Sequence, residues 1–508
     1  MHMHGVDRIP EVSMAEFYLM VLLSHQHKLR TKPKISMEKT THIAVIPGIG
    51  FTHLAPILNF SKRLVQLHPH FHVTCIIPSI GSLPNASKAI LQTLPPNINP
   101  ILLPPVNLND QPQGTRPLIK MHLAMTRSMQ SIHHTLKSIT SNAPIFAMII
   151  DSFAGEALDC AREFNILCYM YFPCSVTTLS TYLYMPKLDE ETTCEYKDLP
   201  HPVQVPGCVP FHGRDLCCAT QDRSALPYKL FLKRVKCIPL VDGVFVNSFL
   251  EMEKGTIRAL EEEGKGYPPV YPVGPIVETG TACTTGSECL TWLDKQQDGS
   301  VLYVCFGSGG TLSQEQMNEL ARGLELSKHK FLWVVRAPSD EASAGYLGGE
   351  KDTDPLEFLP SGFLERTKEQ GMVVPSWVPQ IEILGHGSVG GFLSHCGWNS
   401  TLESMVHGVP LITWPLFAEQ RMNAVVMSEG VKVGVRPRVS ENGLVERVEI
   451  VKVIKCLMEE EEGREMRKRM KELKEDAANA IKEDGSSTKT LSQIAFKWKS
   501  LACENRFC

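Results

Sequence analysis

Short apolar runs of four to eight residues alternate along the chain with longer stretches whose apolar positions recur at helical spacing. In the first half, the runs at 42–47, 71–78, 145–151 and 243–247 predict strands, and 53–67, 116–138 and 251–263 predict helices. The proline-rich segment 268–275 reads as a break in all regular structure, and the small polar stretch to Gly286 reads as a linker. The alternation then restarts, with strands predicted at 301–306, 331–335, 372–374, 389–394 and 410–413. Helices are predicted to open near 314, 398 and 418, followed by a charge-rich helical run at 459–482 and a last helix at 488–501. Residues 336–358, rich in Gly, Ser, Asp and Pro, read as a long surface loop.

Strands alternating with helices are the pattern of parallel sheets covered on both faces. The expected fold class is α/β, with two Rossmann-like domains facing across a cleft. The expected divisions are an N-terminal extension (1–37), a first domain (38–275), a second domain (276–486) and a C-terminal segment (487–508) whose helix packs back on the first domain.

Composition narrows the function only by exclusion. A net charge of −4 over 508 residues offers no general attraction to nucleic acid or anionic membrane, so any phosphate binding must come from local donors. The sixteen cysteines show no Cys-x-x-Cys pair, which fits unpaired thiols in a reducing compartment. Residues 17–24 are apolar but much shorter than the ~20 needed to span a membrane. The expectation is a cytoplasmic monomer without a transmembrane anchor, translated from Met37.

In open parallel sheets, ligands bind beyond the carboxyl ends of the strands. At the end of the 389–394 run stands His395-Cys396-Gly397-Trp398-Asn399-Ser400-Thr401-Leu402-Glu403. A glycine turn opens a helix there, and its first unpaired amides favour an anion. Glu403 lies on the same helix face as Asn399 and Ser400, where a carboxylate can accept two hydroxyls of a ribose. Trp377 upstream offers a stacking face, and Glu419-Gln420 downstream offers groups for sugar hydroxyls.

In the first half, Gly48-x-Gly50-x-x-His53 follows the first strand as a dinucleotide fingerprint whose third glycine is replaced. With no acid closing the second strand, a dehydrogenase is disfavoured. His53 instead places a titratable nitrogen at a helix start, and Asp151, closing the third predicted strand, is its natural orienting partner.

The segment 377–420, WVPQIEILGHGSVGGFLSHCGWNSTLESMVHGVPLITWPLFAEQ, resembles the signature box of the plant UDP-dependent glycosyltransferases of small molecules. The likeness extends from Glu38 onward, and VLYVCFGSGGTLS and DPLEFLPSGFLERT are similar to the hydroquinone glucosyltransferase branch. The resemblance implies the GT-B architecture and inverting transfer of glucose from UDP-glucose to a small phenol, with no metal or other cofactor. It assigns Trp377 to the uracil, with Val378 beside it, and Gln380 and Glu403 to the ribose. Ser308, His395, Asn399 and Ser400 take the diphosphate, while Trp398, Glu419 and Gln420 take the sugar. His53 becomes the general base and Asp151 its partner, with Phe153, Phe172 and Tyr182 around the acceptor. Two departures stand beside the base: relatives place glycine where this chain has Thr52, and proline where it has Ile49.

Other motifs carry less. Asp352-Thr353-Asp354 has the form of a metal-binding Asp-x-Asp but sits in the polar loop. His133-His134 falls on a predicted helix, where adjacent side chains diverge by about 100°. Cys396 reads as a buried thiol. The rival from another class is a non-catalytic protein that binds a sugar nucleotide or a phenolic ligand.

Overall fold

The computed structural model describes residues 41–504, except 113, 263, 265, 279–286, 348–352 and 376. The expectations for 1–37 and for Asp352 therefore lie outside the described residues.

Seven strands form the first sheet: β1 (Thr41–Ile46), β2 (Phe71–Ile77), β3 (Ile98–Leu102), β4 (Ala147–Asp151), β5 (Leu167–Phe172), β6 (Gly243–Val246) and β7 (Val270–Pro272). Their order is β3-β2-β1-β4-β5-β6-β7, and every pairing is parallel. The second sheet holds β8 (Val301–Cys305), β9 (Lys330–Val335), β10 (Gly371–Pro375), β11 (Val389–Ser394), β12 (Leu411–Thr413) and β13 (Gly434–Val435). Its order, β10-β9-β8-β11-β12-β13, repeats the same plan, again wholly parallel. Strands such as AMIID and VLYVC are buried at every position, because helices cover both faces of a parallel sheet.

Six helices position the site: α1 (Phe51–Leu67), α2 (Val176–Glu191), α3 (Leu226–Val235), α4 (Trp398–His407), α5 (Gln420–Val425) and α6 (Ser486–Glu504). In both sheets the strand order reverses once, between β1 and β4 and between β8 and β11. Helices on either side of such a reversal run to opposite faces and leave a crevice at the strand ends.

One sequence expectation is corrected. Segment 268–275 is not free of regular structure, because Val270–Pro272 pairs with β6. An edge strand tolerates proline, since one row of its backbone groups has no partner strand to serve. Pro100 sits in β3 at the opposite edge on the same terms. The chain end returns to the first sheet: Leu491, Ile494, Ala495 and Trp498 of α6 join Phe60, Phe71, Tyr169 and Phe245 in one buried cluster. The Trp498 ring lies 5.0 Å from that of Tyr169.

Candidate active site

The loop leaving β1 brings His53 into the first turn of α1, and β4, next to β1, ends at Asp151. His53 Nδ1 donates to Asp151 Oδ2 at 2.9 Å, since the carboxylate can only accept. The other oxygen, Oδ1, accepts the Phe153 amide at 2.8 Å. Asp151 is fully buried, and the two bonds fix its orientation. With the proton on Nδ1, Nε2 is left as an acceptor. Gly48 makes this approach possible: a Cβ there would lie 2.6 Å from Asp151 Oδ1. The Phe153 ring meets His53 edge-on at 4.9 Å.

At the second reversal, β8 runs into Gly307 and Ser308 while β11 runs into His395. The His395 ring is packed between two glycines: a Cβ on Gly307 would lie 2.4 Å from its Cε1, and one on Gly397 2.4 Å from its Nε2. Burial holds this imidazole down to about 4, with the nearby Arg336 charge acting the same way, so it is neutral at neutral pH. Its Nδ1 is buried without a hydrogen-bond partner among the described residues. Gly397 caps α4 without a side-chain bond, so the first amides of that helix remain open toward Asn399 and Ser400.

Gln380 joins three elements here. Its oxygen accepts from the Tyr303 hydroxyl at 3.1 Å, and its amide donates to Ser400 Oγ at 2.9 Å and Glu403 Oε2 at 2.6 Å. Burial pushes the Glu403 carboxyl up to about 7, although the Gln380 bond acts in the other direction. Trp377, just past β10, is 49% exposed and presents a free indole surface, while Val378 beside it is buried.

Between the two sheets lie the remaining polar groups. Glu419 precedes α5, and its carboxyl is raised by burial, an effect partly offset by the neighbouring His53. Asn423 donates to it at 3.3 Å. Gln420 spends its side-chain oxygen on the amides of Leu416 and Phe417, both at 2.9 Å, which leaves only its NH₂ for another partner. Trp398 is buried, and its indole N–H goes to the carbonyl of Asn247 at 2.7 Å, tying α4 to the end of β6. The Thr52 hydroxyl, beside His53, bonds the Tyr346 hydroxyl at 2.5 Å, bringing the loop after β9 to the start of α1.

Phe153 lines a surface cavity with Leu118, His122, Glu156, Lys233, Arg234 and Cys237. Phe172 and Tyr182 are both buried and meet edge-on at 5.7 Å, with Tyr182 also edge-on to Phe231 of α3 at 4.8 Å. The structure thus brings His53, Asp151 and Phe153 together, and likewise Gln380, Ser400 and Glu403. Sequence reasoning passed over Tyr303, Tyr346 and Arg234. An isolated aromatic in a polar loop was the one available signal for Tyr346.

The UDP-glucoronosyl and UDP-glucosyl transferase family matches residues 269–477. A hydroquinone glucosyltransferase from Rauvolfia serpentina is 49% identical over 91% of this chain and 99% of its own. The chain belongs to the plant UDP-glycosyltransferase family. UDP-glycosyltransferase 72B1 of Arabidopsis thaliana, another member of that family, is 48% identical over 91% of this chain and 97% of its own. Among solved structures, the Phytolacca americana UGT2 complex with UDP-2fluoro-glucose and pterostilbene is 44% identical, with a TM-score of 0.83 over 91% of this chain and 100% of that one. A Polygonum tinctorium UDP-glucosyltransferase, described as capable of glucosylating indoxyl, is 45% identical, with a TM-score of 0.84 over 91% and 99%. Both belong to the two-sheet architecture described above, and this plant UDP-glycosyltransferase is an enzyme of the same kind.

The other motifs have structural roles or none. His133 pairs with Glu163 at 2.9 Å, and the His134 ring lies 6.2 Å away from it. The Cys396 thiol is buried and pushed up to about 12, an inert state. Among the described residues, no cluster of three His, Cys, Asp or Glu is placed to hold a metal, and no helix is long and apolar enough to cross a membrane.

Proposed function

We propose that this protein transfers glucose from UDP-glucose to the hydroxyl of a small phenol, inverting the anomeric configuration. One observation carries the reading: the His53–Asp151 pair, at the crevice of the first sheet, stands within electrostatic reach of Glu419 from the second. A hexose held by Glu419 and the Gln420 NH₂ would present its anomeric carbon between that pair and the diphosphate site. The names of the relatives, a hydroquinone glucosyltransferase and a UDP-2fluoro-glucose complex among them, support the donor and acceptor classes.

His53 Nε2 takes the phenolic proton as the phenolate oxygen attacks the anomeric carbon, and the bond to the UDP oxygen breaks on the opposite face. The proton ends on the imidazole, where Asp151 stabilises the cation. The leaving diphosphate is met by the open amides of α4, the side chains of Ser308, Asn399 and Ser400, and the neutral His395. Trp377 stacks on uracil, with Val378 packed beneath it. Gln380 and Glu403 hold the ribose. Trp398 acts by joining the halves, because its indole N–H is already committed. Phe153 forms the wall for the acceptor ring, backed by Phe172 and Tyr182. Residues 38–275 make the acceptor side, 276–486 the donor side, and 487–508 the return to the first domain. The unpaired, largely buried thiols favour a cytoplasmic setting, and a monomer is expected in light scattering.

The test is glucoside formation from UDP-glucose and hydroquinone by wild type and His53→Ala. Product with wild type and a loss of at least a hundredfold in the variant is expected. UDP-glucose binding without any transfer to a phenol panel would favour the non-catalytic rival. Full activity of the variant would remove His53 as base.

A further inference from the structure

Arg234 stands out in the cavity beside Phe153 because its guanidinium has no direct acidic partner among the described residues. It lies on α3 with its guanidinium carbon 3.9 Å above the Phe153 ring, on which the plane rests as a cation on a π face. No hydrogen bond or ion pair engages its side chain among the described residues. The contrast with its neighbours is sharp. Lys233, one residue earlier, is mostly exposed and pairs with Glu156 at 3.2 Å. Arg223 is spent on Asp189 at 2.8 Å and on the carbonyls of Thr192 and Cys194. Arg234 is half-buried, lines the cavity beside His122 and Cys237, and its charge reaches Glu419 across the cleft.

A half-buried guanidinium gives up water on one face and keeps five N–H donors in a fixed plane. Stacking on Phe153 satisfies its face and leaves its edge donors without a hydrogen-bond partner among the described residues. His53 and Arg234 both contact the Phe153 ring, at 4.9 Å and 3.9 Å from its centroid. An acceptor lying along Phe153 with its hydroxyl at His53 would carry its far end to the guanidinium.

We infer that the acceptor is a hydroxylated aromatic acid, whose carboxylate is bound by Arg234 while its phenolic hydroxyl faces His53. A planar carboxylate matches the fork of a guanidinium with two parallel N–H···O bonds. Held this way, the acid offers its phenol rather than its carboxylate to the anomeric carbon, so the product is the phenolic glucoside and not the glucose ester. Of the acids near this path, Glu156, which lines the cavity, pairs with Lys233, Asp151 is held by His53 and the Phe153 amide, and Glu419 accepts from Asn423. The inference rests on the proposed glucosyl transfer and adds the acceptor class.

The experiment uses the full chain, UDP-glucose and three acceptors: 4-hydroxybenzoate, its methyl ester and hydroquinone. Wild type is expected to prefer the acid over the ester by tenfold or more in kcat/KM, as a charge-assisted bidentate pair provides. It should yield an alkali-stable phenolic glucoside. In Arg234→Gln the acid-to-ester ratio should fall at least tenfold and some alkali-labile ester should appear, with Arg234→Lys intermediate. Equal use of acid and ester by wild type would overturn the inference even if the variants failed to fold. So would an unchanged ratio in a folded Arg234→Gln. Failure to glucosylate any of the three, hydroquinone included, would defeat the parent reading and this one with it.

Discussion

Replacing Asp151 by Asn tests the proposed base most directly. Asn keeps the size of the side chain and can still accept the Phe153 amide through its oxygen, as Asp151 Oδ1 does at 2.8 Å. In that orientation its NH₂ faces His53 Nδ1, where a carboxylate oxygen now accepts at 2.9 Å. Two donors cannot share a hydrogen bond, so the imidazole proton moves to Nε2 and the acceptor hydroxyl loses its base. The lost electrostatic support can be gauged separately. Unit charges centred about 4 Å apart at an effective dielectric of ~20 attract by about 4 kcal/mol. At 1.36 kcal/mol per decade this is about a thousandfold in rate. The assay is single-turnover glucoside formation at saturating UDP-glucose, which separates chemistry from product release. UDP affinity should stay within about twofold, because Asp151 touches none of the donor groups. A folded variant that keeps more than about a tenth of the wild-type rate would refute the assignment of Asp151 as orienting partner.

Three further outcomes are expected. Glu403, raised from 4.5 to about 7 in the free protein, must be ionised to accept ribose hydroxyls, so UDP affinity should fall toward tenfold per pH unit below 7. Glu403→Gln should flatten that profile in calorimetric titrations. The same shift contributes stability that is fully present below 4.5 and lost as pH rises through 7. Gly307→Ala combines a φ of +72°, a strain of about 1 kcal/mol, with a Cβ 2.4 Å from His395. UDP affinity should drop at least tenfold, whereas Gly443→Ala, at φ +84° in open space, should carry only the strain. Thr52→Gly and Tyr346→Phe each break the same hydrogen bond, so a double-mutant cycle on acceptor KM should show about 0.5 kcal/mol of coupling or more, with UDP affinity unaltered. Additive effects would mean that the bond does not couple the loop to the acceptor.

What the sequence made legible follows the strength of the apolar pattern. β1, β4, β8 and β11 are central, buried on both faces and close to the predicted ranges, and they are the strands that deliver His53, Asp151, Ser308 and His395. β7 was hidden by its prolines, and β3 by Asn99 and Pro100 together with the little burial of an edge strand. The β-branched start of α2, VTTLST, has no helical stripe because it is buried all round. The His53–Asp151 pair, 98 residues apart, was readable because parallel order puts β1 beside β4. The Thr52–Tyr346 bond spans 294 residues and depends on how a loop folds over the cleft, which no periodicity encodes. Nor does composition show that the Trp398 N–H and the Gln420 oxygen are already used within the protein.

The return of α6 has a consequence for biosynthesis. The face of the first sheet that packs Phe60, Phe71, Tyr169 and Phe245 is closed by Trp498, within the last turns of the described chain. Until the chain has been made as far as α6, that sheet is complete in backbone but lacks one apolar wall. The first domain therefore reaches its final stability only after the second has been synthesised. A premature stop ahead of Leu491 would leave the whole second sheet encoded and the first exposed, a product fit for chaperones and proteases rather than for catalysis.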